Sequence, residues 1–282
     1  MIVVVSDTHL GTDHLESVDP DREAFTAFLR YLRTELRPSH LVLNGDIEDL
    51  WRRDMRTLTR EDYDVFQLLR ELRADGIEVH YVLGNHDWYA RKDVALHGDG
   101  SGEAGRYYDT DYAERLRLRT GGTTYAFRHG HQFDPVQDEW YFDKLAVIST
   151  DSIGARFSRK WALLSEVEGR LGWLRALGKL AADRVSRGSW DRMVGEMDRC
   201  GHDHDLGIDP GGAGGFVADH PDVDWLCLGH THRAGIDPET RLANSGAWLD
   251  ERNTYLVLEE RPRLLRWNDG DPEPIEVAGA AE

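Results

Sequence analysis

The feature that most constrains this chain is a series of short apolar runs that each stop on histidine, aspartate or asparagine. Ile2-Val3-Val4-Val5 ends in Ser6-Asp7-Thr8-His9, and His40-Leu41-Val42-Leu43 ends in Asn44-Gly45-Asp46. Glu78 to Leu83 ends in Gly84-Asn85-His86-Asp87. Runs this short, with few polar interruptions, read as strands covered on both faces. Between them the spacing changes. Phe25, Phe28, Leu29, Leu32 and Leu36 recur at helical intervals over 21–36, with Pro38 as a stop; Val65, Leu68, Leu69 and Leu72 do so over 61–74, closed by Gly76. Strand, helix, strand, helix, strand predicts a parallel α/β core, whose ligands gather beyond the carboxyl ends of the strands.

Further along, 115–119 and 123–128 read as a hairpin turning at Gly121-Gly122 and delivering His129-Gly130-His131. From about 135 to 199 the texture becomes helical, with Trp161, Leu164, Val167, Leu171, Leu174 and Leu177 spaced by three or four, which predicts a helical insertion. The Gly-rich tract 207–215 reads as a loop back, and 223–228 as a strand ending in Gly229-His230-Thr231-His232. Runs at 254–258 and 263–267 complete a second, antiparallel region. The expected layout is a catalytic core of 1–134 and 221–270, a mainly helical insertion or cap of 135–220, and a flexible tail of 271–282.

A chain of 282 residues is long enough to bury a sizeable core. Its formal charge of −18 repels polyanions, which argues against nucleic acid as a partner. Two cysteines, Cys200 and Cys227, make no disulfide framework and read as buried apolar residues in a reducing, cytoplasmic setting. No window approaches the roughly 18 apolar residues of a membrane span, which leaves peripheral membrane contact as the only expected kind.

Singly, a histidine at a strand end is more often a loop or capping residue than a ligand. Together, Asp7, His9, Asp46, Asn85, His129, His230 and His232 stand at five strand ends, and every one is of a type that binds hard or borderline divalent ions. With no thiolate among them, the set favours Mn²⁺, Fe²⁺, Zn²⁺ or Co²⁺. Seven ligands are too many for one ion, so two metals sharing a carboxylate is the economical arrangement.

Asp7-x-His9, Gly45-Asp46-x-x-Asp49, Gly84-Asn85-His86-Asp87, His129-Gly130-His131 and Gly229-His230-x-His232 occur in that order, and in this the chain resembles the calcineurin-like metallophosphoesterases. The resemblance implies an α/β fold in four layers: two mixed β-sheets packed as a sandwich and flanked by helices, rather than one parallel sheet. It assigns Asp7, His9 and His232 to one metal, Asn85, His129 and His230 to the other, and Asp46 to both, with Mn²⁺ as the expected ion. It implies hydrolysis of a phosphodiester or pyrophosphate by a hydroxide bridging the two ions. His86 falls where the family has a histidine that stabilises the transition state or protonates the leaving oxygen, with Asp49 or Asp87 to orient its imidazole. His131, two residues beyond a ligand, and Arg128 are candidates to touch substrate.

The insertion would choose that substrate. Trp140, Trp161, Trp173 and Trp190 accompany Arg156, Arg159 and Lys160: either the tryptophans pack the cap against the core, or they line an apolar groove with a basic rim for a lipid-linked or nucleotide-linked phosphoester. Within the family, the Asp-Thr-His-Leu start, Arg128-His129-Gly130 and the helical insertion look most like the UDP-2,3-diacylglucosamine diphosphatase group. The chain departs from that group at His86, where Arg is common, and at His131. Competing readings are a phosphomonoesterase, a nuclease-type phosphodiesterase and a non-catalytic scaffold. A second GHxH, Gly201-His202-Asp203-His204, follows a helix-like stretch rather than a strand and reads as a polar helix-to-loop junction.

Overall fold

The computed structural model describes residues 1–10, 21–48, 62–86, 112–133, 210–249, 251–268 and 270–275. β1 (Ile2–Val5), β2 (His40–Asn44), β3 (Glu78–Val82) and β4 (Tyr112–Ala113) run parallel. On the other side of β1 lie β10 (Thr254–Leu258), β11 (Pro262–Asn268) and β12 (Asp271–Pro274), all antiparallel, giving a seven-stranded sheet in the order β12-β11-β10-β1-β2-β3-β4. A second, five-stranded sheet has the order β5-β6-β7-β9-β8, formed by β5 (Leu116–Thr120), β6 (Thr123–Phe127), β7 (Trp225–Leu228), β8 (Gly235–Asp237) and β9 (Leu242–Asn244). Here β6, β7 and β9 are the parallel strands.

Alternation along β1 decides what each sheet face meets. Val3 and Val5 turn outward against Phe25, Phe28 and Leu29 of α1 (Arg22–Tyr31) and Val65, Leu69 and Leu72 of α2 (Tyr63–Ala74). Ile2 and Val4 turn inward and meet Tyr125, Phe127, Cys227 and Ala243 of the second sheet. Asp21 caps α1 by accepting from the Ala24 amide at 3.1 Å, and Asn253 reaches the same carboxylate at 2.7 Å. The outer face of the second sheet, through Ala126, Leu226, Leu228 and Leu242, meets Ala213 and Val217 of α3 (Pro210–Asp219). Helix, sheet, sheet and helix make the four layers expected from the resemblance.

Three expectations shift. The purely parallel reading of the strand–helix pattern holds for β1 to β4 only, because β10 returns antiparallel on the open edge of β1. Within the Gly-rich tract taken as a loop, α3 begins at Pro210, a residue preset for the first helical turn, and burial of Ala213 and Val217 outweighs the poor helix propensity of its glycines. This helix falls inside the 135–220 stretch expected as insertion, yet it packs as the fourth layer. At the other end, the first residues of the expected 271–282 tail form β12, because Gly270 at φ +105 turns the chain back onto β11. The tryptophans of the insertion, Cys200, and His202 and His204 of the second GHxH lie outside the described residues. Among the described residues no helix is long and apolar enough to cross a membrane.

Candidate metal centre

The carboxyl ends of the parallel strands in both sheets reach one edge of the sandwich, and the loops there are laced together by backbone hydrogen bonds. The amides of Asp7 and His9 donate to the carbonyls of Gly45 and Asp46, each at 3.0 Å. Across the second sheet the Gly229 amide donates to the His129 carbonyl at 2.7 Å. This lacing forces a costly backbone. Asp7 (φ 53°), His9 (44°), Asp46 (52°), His230 (69°) and His232 (57°) all occupy the left-handed region, which costs roughly 1–3 kcal/mol for each non-glycine residue. Five of the seven expected ligands are held in strained backbone, the kind of outlier that concentrates at functional sites.

Two clusters result, with Asp46 in the second. Asp7 Oδ1, His9 Nε2 and His232 Nε2 are separated by 4.0, 3.2 and 3.3 Å. One point lies about 2.1 Å from all three, the distance of a metal–imidazole bond. Asp46, His129 and His230 form the other cluster, with His129 Nε2 at 3.0 Å from Asp46 Oδ2. Asn85 Oδ1 joins it at 3.1 Å from His230 Nδ1. Asp46 also meets His9 and His86, so its carboxylate stands between the two clusters. His86 closes the edge: its amide donates to Asp46 Oδ1 at 2.8 Å, and its ring stands edge-on to His9 with centroids 4.8 Å apart.

Burial makes the charges interdependent. Asp7 and His129 are fully buried and Asp46 nearly so. Burial alone would raise the carboxyl pKa values, but His129 beside both, with His232 at Asp7 and His86 at Asp46, holds Asp7 below and Asp46 well below the ordinary range. Burial opposes charge on His129 as well, yet Asp46 and Asp7 raise it to about 10. Its Nδ1–H donates to the Asn44 carbonyl at 2.8 Å, which aims Nε2 at the carboxylates. His129 Nε2 and Asp7 Oδ1 are buried and make no well-aligned hydrogen bond; the polar atoms nearest them belong to the other expected ligands, Asp46 Oδ2 at 3.0 Å and His232 Nε2 at 3.3 Å. Buried oxygen and nitrogen donors that face only one another fit divalent ions of the hard or borderline kind.

Several supporting residues escape a reading that looks for ligands. A Cβ on Gly45 would fall 2.4 Å from His129 Nδ1, and one on Gly229 would fall 2.6 Å from Asp7 Oδ2. Each glycine sits where the backbone passes against a ligand side chain, and the signal for it was the Gly before Asp46, Asn85 and His230. Asn44 ties the sheets by donating to the Arg128 carbonyl at 3.1 Å. Asn244 donates to the Gly229 carbonyl at 2.8 Å and fixes the GHxH turn. Asn44 opens the strand-end triplet Asn44-Gly45-Asp46, and Asn244-Ser245-Gly246 fits the turn that the resemblance implies after His230 and His232.

The remaining expected site residues divide. The His131 ring lies 5.6 Å from that of His129 and 6.3 Å from that of His230, beside the second cluster. Arg128 instead lies 5.3 Å over the Phe216 ring and, with Arg115, Arg117 and His220, lines a groove of about 440 Å³ that none of the clustered residues line. Asp49, Asp87, Arg156, Arg159 and Lys160 lie outside the described residues.

The model of the calcineurin-like phosphoesterase family matches residues 1–234. A UDP-2,3-diacylglucosamine hydrolase of Porphyromonas gingivalis (strain ATCC BAA-308 / W83) is 24% identical over 276 residues, covering 94% of this chain and 96% of that protein. Among solved structures, a dimetal phosphatase from Danio rerio is 14% identical with 94% of each chain covered and a TM-score of 0.41. A cold-active protein-tyrosine phosphatase of a Shewanella species is 17% identical, covers 98% of this chain and 80% of its own, and has a TM-score of 0.39. Those scores are too low to carry an argument, and the fold rests on the strand order itself. Matched by the family model over most of its length, the chain belongs to the calcineurin-like phosphoesterases and is a phosphoester-hydrolysing enzyme.

Proposed function

We propose that the protein is a dinuclear metal phosphoesterase that hydrolyses a phosphodiester or pyrophosphate bond in a nucleotide-linked or lipid-linked substrate. The observation that carries this reading is Asp46, a nearly buried carboxylate standing between two clusters of nitrogen and oxygen donors. Asp7, His9 and His232 would hold one ion, Asn85, His129 and His230 the other, and Asp46 both, with Mn²⁺ the expected metal. Bound there, two divalent ions supply charge neutralisation for the phosphoryl oxygens and a nucleophilic water at neutral pH. The chain's own part is to preorganise the donors. The Asn44 carbonyl fixes the His129 tautomer, and the His230 amide, donating to Asp7 Oδ2 at 2.9 Å, leaves Oδ1 facing inward. His86, at the edge of the cluster, would give a proton to the leaving oxygen. The substrate class draws on the UDP-2,3-diacylglucosamine hydrolase relative, which matches nearly the whole chain at low identity.

Turnover of bis-p-nitrophenyl phosphate, p-nitrophenyl phosphate and a UDP-sugar by one preparation with Mn²⁺ tests it. Cleavage of the diester or the pyrophosphate above the monoester is expected. Monoester cleavage alone would overturn the bond assignment, and no turnover with any divalent ion would overturn the enzyme reading.

A further inference from the structure

A third group of donors lies at the other end of the same strands. His40 opens β2 and pairs in register with Glu78, the first residue of β3; His80, two residues on, shares their face. A whole strand, roughly 16 Å of extended chain, separates this rim from the candidate metal centre. His40 Nδ1 lies 3.1 Å from His80 Nε2 and 3.5 Å from Glu78 Oε2, and the last two are 3.7 Å apart. A triangle with those edges has a circumscribed radius of about 2.0 Å, so an ion just above its plane would sit at the zinc–imidazole bond length from all three. The side chains of His40 and His80 are 21% and 22% exposed and that of Glu78 is 68% exposed, which leaves the fourth tetrahedral position open to water.

We propose that His40, Glu78 and His80 form a surface site for a Zn²⁺-class divalent ion, separate from the dinuclear centre. In the ion-free protein one ring donates its N–H to the other across the 3.1 Å between His40 Nδ1 and His80 Nε2; the ion would take a lone pair from each of these nitrogens, and that proton would pass through solvent to the other nitrogen of its own ring. An ion here would fasten the starts of β2 and β3, and by binding only the folded chain would stabilise it.

Equilibrium dialysis against Zn²⁺ at pH 7.5, comparing the full chain with His80→Gln and Glu78→Gln, tests the site. Each variant is expected to bind one ion fewer per chain while keeping its Mn²⁺-dependent turnover. Glu78 is exposed, so its variant folds even if His80→Gln does not. Co²⁺ gives a second reading: the wild-type spectrum minus that of Glu78→Gln should show the visible bands of a four-coordinate ion. Equal Zn²⁺ counts in all three proteins, or a flat Co²⁺ difference spectrum, would overturn the proposal.

Discussion

Replacing Gly84 by alanine adds one methyl group against the Asp46 carboxylate. Its Cβ would stand 2.1 Å from Asp46 Oδ1 and 2.5 Å from the Asp46 amide nitrogen, where real Cβ atoms keep at least 3.0 Å. Asp46 must retreat by about 0.9 Å, and because the clash includes backbone, rotating the side chain does not relieve it. The His86 amide and His129 also grip that carboxylate from two sides. Metal–ligand distances tolerate only about 0.2 Å, and a misplacement near 1 Å costs on the order of 100-fold in rate. Overpacking should cost a further 1–3 kcal/mol or so in stability. The assay is Mn²⁺-dependent turnover of bis-p-nitrophenyl phosphate beside bound-metal analysis of the same sample. Gly84→Ala should lose about 100-fold in kcat and bind metal less tightly. Wild-type metal content and turnover would refute the reasoning.

Gly215→Ala is the matching control: in α3 its Cβ meets nothing within 4 Å, so it should stabilise by about 0.5–1 kcal/mol in chemical denaturation and leave turnover unchanged. Asn244→Ala removes a fully buried side chain that donates to the Gly229 carbonyl and accepts from the Gly246 amide; thermal unfolding should report a loss of about 1–3 kcal/mol. In the metal-free protein His129 carries a proton up to about pH 10, so binding an ion at pH 7.5 must release it, and affinity should climb steeply with pH below that value. Calorimetry in buffers of different ionisation enthalpy checks this, and zero protons released contradicts it. The same raised pKa contributes stability to the metal-free fold below the ordinary histidine value of 6.5, lost as pH rises through about 10. Asp7 and Asp46, held low, contribute stability present above the ordinary 3.8 and lost on acidification below it, which pH-dependent melts of the metal-free protein would show.

Much of this arrangement is legible in the sequence, because a strand end is marked by where an apolar run stops and the expected ligands stand there. Asp7, Asp46, Asn85 and His230 could be read that way. What could not be read is what depends on two distant segments meeting. The left-handed backbone of five expected ligands follows from lacing the loops of both sheets, and no residue type announces it. α3 was hidden by its glycines, since the buried Ala213 and Val217 have meaning only against the second sheet. His40 and His80 drew no notice as site residues, because parallel register alone brings them together.

The most direct test of the central claim is anomalous diffraction from Mn²⁺-loaded crystals at the manganese edge. The account predicts two peaks at the carboxyl edge of the sandwich, one touching Asp7, His9 and His232, the other Asn85, His129 and His230, with Asp46 touching both. A single peak there, or none, in protein that is active under the same Mn²⁺ would contradict it.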